Sequence, residues 1–354
     1  MLERYVHDNN SCLFPSELSK VWPEHNIGSI LRNILGKRRN VSLATVLEDH
    51  HIKAIANYSD TLSSGDQIPA FEVLSPDEYS VPFVFNSPHS GRAYLSSFLQ
   101  HSRLDTTQIR QSEDAFVDLL IKDVEQVGAP LLKANFPRAY IDVNREAYEL
   151  DPKMFEGSLP KHINSRSLRV AGGLGTIARI VGEKQEIYRT RIPAQEGLDR
   201  IERVYKPYHG ALRGLLNNVQ DQFGLAILVD CHSMPSLNAN RNHDPKADFV
   251  LGDRFGTSCS AWLSSCAVGL LQNMGYNVAL NRPYAGGYIT ENYGRPERGI
   301  HALQVEINRS LYMDEKTHLP HSGFHDLRKD LLEFLASLVE LVTESISREM
   351  LAAE

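Results

Sequence analysis

From residue 70 onward, short apolar runs alternate with stretches in which apolar residues recur every three or four positions. The first pattern predicts buried strands and the second amphipathic helices. "VPFVFN" (81–86) is a short apolar run closed by turn residues, and "PLLKAN" (130–135) and "RAYIDVN" (138–144) are strand-like. "SEDAFVDLLIKDVEQVG" (112–128) reads as a helix with Ser112 as N-cap and acids in its first turn. A long amphipathic helix over 197–224 leads into "LAILVD" (225–230), an apolar run suited to a central strand covered on both faces. "DFVLGD" (248–253), a helix over 258–274, "YNVALN" (276–281), "HALQVEIN" (301–308) and a final helix over roughly 322–348 continue the alternation. The expected architecture over 71–354 is α/β, with helices on both sides of a mostly parallel or mixed sheet.

Residues 1–70 read differently. Helical patterns over 27–40 and 42–58 precede a polar stretch, "SDTLSSGDQIP", that suits a linker. This part is expected to be a helical N-terminal extension.

Composition narrows the chemistry. The 354 residues suffice for a full core. A net charge of -7 argues against general nucleic-acid binding, which needs an excess of Lys and Arg. No run reaches the ~18 apolar residues of a membrane span, and the N-terminus has no signal-peptide pattern. Cys12, Cys231, Cys259 and Cys266 form no C-x-x-C pair, which suits free thiols in the cytoplasm. Any metal site must then be built from His and carboxylates.

In such sheets ligands gather at the carboxyl ends of strands. That rule selects His89 after the 81–86 strand, His232 after the 225–230 strand, Asn144 and Arg145 after the expected 138–143 strand, and Glu306 within "ALQVEIN". Neutral imidazole is a common zinc ligand, and a catalytic zinc has three protein ligands. His89 and His232 can supply two. Glu113 or Asp114, in the first turn of the next helix, can supply the third. The bland reading of either histidine is a hydrogen-bonded structural residue. Asp230 points the same way as His232 and can orient its imidazole, or cap a helix instead. Cys231 points to the opposite face, into the core. Glu306 is costly to bury unless paired or functional. It is either in a salt bridge with Arg309 or Arg145, or a general base for a metal-activated water. Arg138 and Arg145 suit an anionic substrate, or merely balance Asp142 and Glu146. Gly286-Gly287, between Asn281 and Thr290, reads as a loop over a ligand or as a simple turn.

The tetrapeptide Pro-His-Ser-Gly occurs twice, around His89 and around His321. The second copy opens the last helix, where Ser322 is the expected N-cap. His321 and His325 are four apart, but no strand end or carboxylate recommends them as ligands.

Taken together, "SPHSG", "SEDAFVD", "PRAYIDVNR", "DCHSM", "LNRPYAGGYIT" and "GIHALQVEINRSLYMDE" resemble the N-formylglutamate amidohydrolase (deformylase) family, in family order across about residues 80–315. The resemblance implies a three-layer α/β/α sandwich around a mixed sheet, like the zinc carboxypeptidases and aspartoacylases. It implies one zinc, or another divalent ion, held by His89, Asp114 and His232. Glu306 is then the expected base, Arg138 the expected oxyanion stabiliser, and Asn144 and Arg145 the expected anchors for a substrate carboxylate. Asn281 and Thr290 complete the expected substrate-binding set. The implied substrate is a small anionic N-acyl amino acid, N-formyl-L-glutamate above all, with no nucleic-acid or membrane partner. The rival readings are a serine hydrolase using Ser90 or Ser233, a hydrolase of another N-acyl amino acid or peptide, and a non-catalytic binder.

Overall fold

The apolar runs become the centre of one sheet. The computed structural model describes residues 52–54, 68–182, 184–236 and 247–352. The sheet strands are β1 (Ile52–Ala54), β2 (Phe71–Leu74), β3 (Phe83–Ser87), β4 (Leu131–Ala134), β5 (Ala226–Met234), β6 (Phe249–Gly252), β7 (Val278–Leu280) and β8 (Ile300–Asn308). Their order is β1-β2-β4-β3-β5-β8-β6-β7. The four central strands β4, β3, β5 and β8 run parallel, and β2 and β6 flank them antiparallel. The sheet is therefore mixed.

Alternation along the central strands sorts side chains into two layers. Val84, Leu228 and Ala302 face α1 (Lys206–Phe223), which contributes Tyr208, Leu212, Leu216 and Val219. Phe83, Phe85, Val229, Leu303 and Val305 face α2 (Ala261–Asn273) and α3 (Gly323–Ala352). The result is the expected three-layer α/β/α sandwich. Cys231 joins the second layer, as expected, and burial pushes its thiol up. The α1 face changes character along the strands. Val84, Leu228 and Ala302 give way to Asn86, Asp230, His232, Gln304 and Glu306 at the carboxyl ends.

Three expectations fail here. Residues 112–128 do not form one helix. They form a 3-10 turn at Arg110–Ser112, an extended residue at Glu113, a short helix at Val117–Leu120 and a 3-10 segment at Lys122–Val127. Phe116, at φ 65, is left-handed and breaks any continuous helix. Ser112 Oγ has no hydrogen-bond partner and caps nothing. Residues 138–144 are not a strand but a chain of turns, with Tyr140 N donating to Pro137 O and Asp142 N to Thr176 O. Ile52–Ala54, expected to be helical, pairs antiparallel with β2 as the outermost strand. The remainder of the two helices expected over 27–58 lies outside the described residues. Among the described residues no helix is long and apolar enough to cross a membrane.

Candidate metal centre

His89 is placed by a turn held by Ser87, Ser90 and Gly91. The chain leaves β3 at Ser87, whose Oγ lies 2.5 Å from Ser90 Oγ, and Ser90 Oγ accepts from Asp118 N at 3.1 Å. A Cβ on Gly91 would stand 2.0 Å from Phe136 O, so the close approach of these backbones requires glycine. Asp114 N donates to His89 O at 3.0 Å, tying the acidic segment to the same turn. Glu113 and Asp114 then point apart because the backbone at Glu113 is extended, not helical. Glu113 accepts from Tyr94 Oη and Arg110 Nε, away from the histidines.

Asp114 Oδ2 is 2.8 Å from His232 Nδ1 and 3.4 Å from His89 Nδ1. The three potential ligand atoms of His89, Asp114 and His232 lie within 4.8 Å of one another, and all three residues are buried. Each imidazole is held from behind by a carboxylate. His89 Nε2 is 2.7 Å from Asp142 Oδ1, and His232 Nε2 is 3.0 Å from Asp230 Oδ2. Asp230 is itself fixed by Asn86 Nδ2 at 2.7 Å, and Asn86 by Tyr208 Oη at 2.5 Å. This is the carboxylate–histidine pairing that orients imidazole ligands toward a metal. Burial works against the Asp114 carboxylate, but the hydrogen bond from His232 and the closeness of the His89 imidazole hold it well below the usual range. Asp142 is likewise held low against burial by Arg138 and His89.

One atom decides between a structural and a ligating histidine. His89 Nδ1 is buried and has no hydrogen-bond partner. A buried polar atom left unsatisfied costs about 1–3 kcal/mol. A nitrogen aimed at the other two donor atoms and otherwise unpartnered fits a metal ligand. The donor set of two imidazoles and one carboxylate fits zinc or a similar divalent ion.

Glu306 stands beside this triad, because β5 and β8 are parallel and pair Glu306 with His232. Its Oε1 accepts from Gln304 Nε2 at 2.8 Å, and it makes no ion pair among the described residues. Arg309 pairs with Asp114 instead, and Arg145 lies toward Asp142. Burial pushes the Glu306 pKa up to about 7, against the nearby positive charges of His232, Arg138 and Arg309. Arg138 Nε donates to Asp142 Oδ2 at 2.9 Å, and 27% of its side chain remains exposed. As opposite ends of a strand, Arg138 and Arg145 would be separated by about 23 Å at ~3.3 Å per residue. The turns bring both to Asp142 instead, Arg145 Nε at 3.8 Å.

Other expected site residues are committed elsewhere. Asn144 Oδ1 accepts from Ile289 N at 2.7 Å, and its Nδ2 lies 3.3 Å from His232 Nε2. It braces the glycine loop against the site. A Cβ on Gly287 would stand 2.3 Å from Asn144 Nδ2, so this loop is packed tightly over the strand ends. Asn281 accepts from Asp253 N and Phe255 N and donates to Asp253 Oδ1, and Thr290 Oγ1 donates to Gly287 O. These three side chains brace the loops around the site, Asn144 against His232 itself. Sequence reasoning missed Asp142 as the partner of His89 and Arg309 as the partner of Asp114. The signal for Asp142 was its place four residues after one arginine and three before another.

A profile of the family described as N-formylglutamate amidohydrolase matches residues 81–313, which include every residue of this site. The chain belongs to the N-formylglutamate amidohydrolase family. It is 29% identical over 247 residues to the N-formylglutamate deformylase of Pseudomonas putida, covering 69% of this chain and 86% of that protein. It is 27% identical over 282 residues to the N-formylglutamate deformylase of Pseudomonas aeruginosa, covering 78% and 96%. The crystal structure of N-formylglutamate amidohydrolase from Ralstonia eutropha superposes with a TM-score of 0.73 at 36% identity, over 80% of this chain and 100% of that one.

For this family member the serine-nucleophile reading has no geometric support. Ser90 Oγ is engaged by Ser87 and Asp118 N, and Ser233 Oγ accepts from Arg309 Nε at 3.0 Å. Neither contacts a histidine among the hydrogen bonds of the described residues. The second Pro-His-Ser-Gly copy carries no such cluster. His321 Nδ1 accepts from Gly323 N at 3.0 Å and Nε2 lies 3.1 Å from Ser310 O. His321 itself, rather than the expected Ser322, engages the first amide of α3.

Proposed function

We propose that this chain hydrolyses the amide bond of a small anionic N-acyl amino acid, N-formyl-L-glutamate first among them, with a divalent metal held by His89, Asp114 and His232. The observation that carries this reading is the unpartnered, buried His89 Nδ1 facing Asp114 and His232, with Glu306 in register beside them. The names of its relatives supply the substrate class. A zinc or similar ion bound there would lower the pKa of a water toward neutrality and polarise the substrate carbonyl.

The chain's own groups do the rest. Asp142 and Asp230 hold the Nε2 atoms of the two imidazoles, so both Nδ1 atoms face inward. Glu306 takes the proton of the attacking water and hands it to the departing amine. A carboxylate whose pKa is raised to about 7 suits both transfers, since it gives up and regains a proton near neutral pH. With Oε1 bonded to Gln304, its Oε2 is the oxygen free to act. Arg138 is fixed through Nε, and its terminal nitrogens stabilise the negative charge that develops on the carbonyl oxygen. Arg145 is steadied by Leu174 O and Asn144 O and binds a substrate carboxylate.

The test pairs metal analysis with an assay of formate release. Purified protein should carry about one divalent ion per chain and release formate from N-formyl-L-glutamate. A chelator should abolish the activity and added zinc restore it. Activity that survives complete metal removal would sink the metal reading. Turnover of acetyl- or peptidyl-glutamate but not the formyl compound would move the substrate within the same class. Glu306→Gln binding substrate as the parent does, with parental turnover, would rule out Glu306 as the base.

A further inference from the structure

Arg309 is nearly buried, at 8% exposure, and it reaches the site through Asp114. Its guanidinium is fixed at three points. Nε donates to Ser233 Oγ at 3.0 Å, Nη1 to Gln111 O at 3.4 Å, and Nη2 to Asp114 Oδ1 at 3.2 Å. The partners come from separate segments. Ser233 follows His232 in β5, Gln111 and Asp114 belong to the segment after the His89 turn, and Arg309 itself follows β8. A planar fork with fixed donor directions can hold acceptors from three separate segments at once, a spread that the compact ammonium of a lysine does not match.

The two oxygens of Asp114 are therefore not equivalent. Oδ2 faces His232 Nδ1 at 2.8 Å and His89 Nδ1 at 3.4 Å. Oδ1 faces the other way, onto the guanidinium. A carboxylate can give a metal one oxygen or two, and a free aspartate beside a divalent ion has both to offer.

We propose that Arg309 is a positioning residue that confines Asp114 to one metal-facing oxygen, Oδ2, and so fixes the number of ligand atoms this chain gives the ion at three. The inference rests on the metal reading above and goes beyond the choice of ligands. Keeping the protein ligands at three leaves room at the ion for water and substrate, as catalytic metal sites require. Drawing charge off the carboxylate also leaves the ion a stronger Lewis acid. The bland alternative is that Arg309 only neutralises a buried carboxylate and contributes nothing but stability.

Cobalt(II) separates the two, because its visible absorption reports coordination number: strong for four-coordinate and weak for six-coordinate ions. The probe is Co(II) added to metal-free full-length parent, Arg309→Met, Arg309→Lys and Ser233→Ala, with affinity from competition against a chromophoric chelator. The expected parent spectrum is the intense, low-coordinate one. Arg309→Met frees Oδ1, so its absorption should fall toward the higher-coordinate form, and its affinity should change about 10–100-fold, as loss of a partner behind a ligand does. Ser233→Ala removes one anchor without changing charge and should give a smaller shift in the same direction. Arg309→Lys keeps the charge but not the fork, and decides the matter if Arg309→Met does not fold: a shifted spectrum supports the proposal. Folded Arg309 variants with the parent's spectrum and affinity would overturn it and leave the metal reading standing. A parent that binds no cobalt at about one equivalent would overturn both.

Discussion

Pro88–Gly91 and Pro320–Gly323 are the same four residues in two places. In the first, the histidine leaves a fully buried parallel strand and is 1% exposed. In the second, it opens a surface helix and is exposed. Both histidines give one ring nitrogen to the protein. The difference is the other nitrogen. His321 satisfies both, one as acceptor from Gly323 N and one toward Ser310 O. His89 has Asp142 behind Nε2, while its Nδ1 is buried without a hydrogen bond, 3.4 Å from Asp114 Oδ2. The motif supplies a turn. Chemistry is assigned by what the surroundings leave unsatisfied.

The hardest test of that contrast is to remove each ring. His89→Ala should lose the bound metal, and its activity should fall by more than the roughly 10⁴-fold upper end of general acid–base catalysis alone. Metal content by elemental analysis and formate release by assay read the two effects separately. An active, metal-loaded His89→Ala would erase the distinction between the copies. Glu306→Gln comes next, with an expected loss of about 10²–10⁴-fold in kcat and metal content unchanged. A base must be ionised to work, so parental activity should rise with pH along an acid limb ending at or below pH 7, since a nearby cation favours the carboxylate. Stability should run the opposite way. The folded pKa lies above the unfolded one, so this group's contribution is fully present below about pH 4.5 and is lost as pH rises through about 7. Metal-free Glu306→Gln should therefore gain on the parent between pH 5 and 8, by up to about 3 kcal/mol at ~1.4 kcal/mol per pKa unit. Denaturant melts at the two pH values check the sign.

Smaller effects should follow at the carboxylates behind the rings. Asp142→Asn and Asp230→Asn keep the shape but weaken the hold on Nε2, and each should cost about 10–100-fold in metal affinity or turnover. Asp142 should matter more, because it also holds Arg138 at 2.9 Å. Chelator competition alongside kcat/KM reads this. Equal losses at the two positions would mean that the Arg138 contact contributes nothing.

The strands that carry His89, His232 and Glu306 were legible because burial on both faces writes a continuous apolar run, and polar residues at its end stand out. The acidic segment was half legible. "SEDAFVDLLIKDVEQVG" keeps a helical spacing of apolar residues, yet the pull of Asp114 into the site and the left-handed Phe116 break it into turns. Both acids were expected in the first turn of a helix, and extended backbone at Glu113 separates them instead. "RAYIDVN" was misread for a related cause. Its alternation satisfies a strand pattern, but its polar groups serve His89 and Thr176 rather than a neighbouring strand. Asp142 was missed because it read as a counter-charge for Arg138 or Arg145, whereas the turns bring it behind His89. Asn281 and Thr290 flank the glycine loop in the sequence, and the structure adds the partners that hold them there, Asp253 and Gly287.

The least effect is expected at the second copy, and it is the one that sharpens the contrast most. His321 Nδ1 accepts from Gly323 N at the start of α3, and loss of such a helix-start bond costs about 1 kcal/mol. Because His321 is exposed, water can replace its lost bonds, which keeps the cost at the low end. His321→Ala should thus lower the denaturation midpoint slightly and leave metal content and kcat/KM within about twofold of the parent. Ser322→Ala should do less still, since the amide it was expected to cap is bonded to His321. A His321→Ala variant that loses metal would mean that the helix-start copy feeds the site through Ser310 and its neighbour Arg309. A Ser322→Ala variant more destabilised than His321→Ala would return the cap to the serine. If both hold as stated, the same imidazole is worth a small stability increment where backbone groups satisfy both its nitrogens, and nearly the whole activity where one nitrogen is left for a metal.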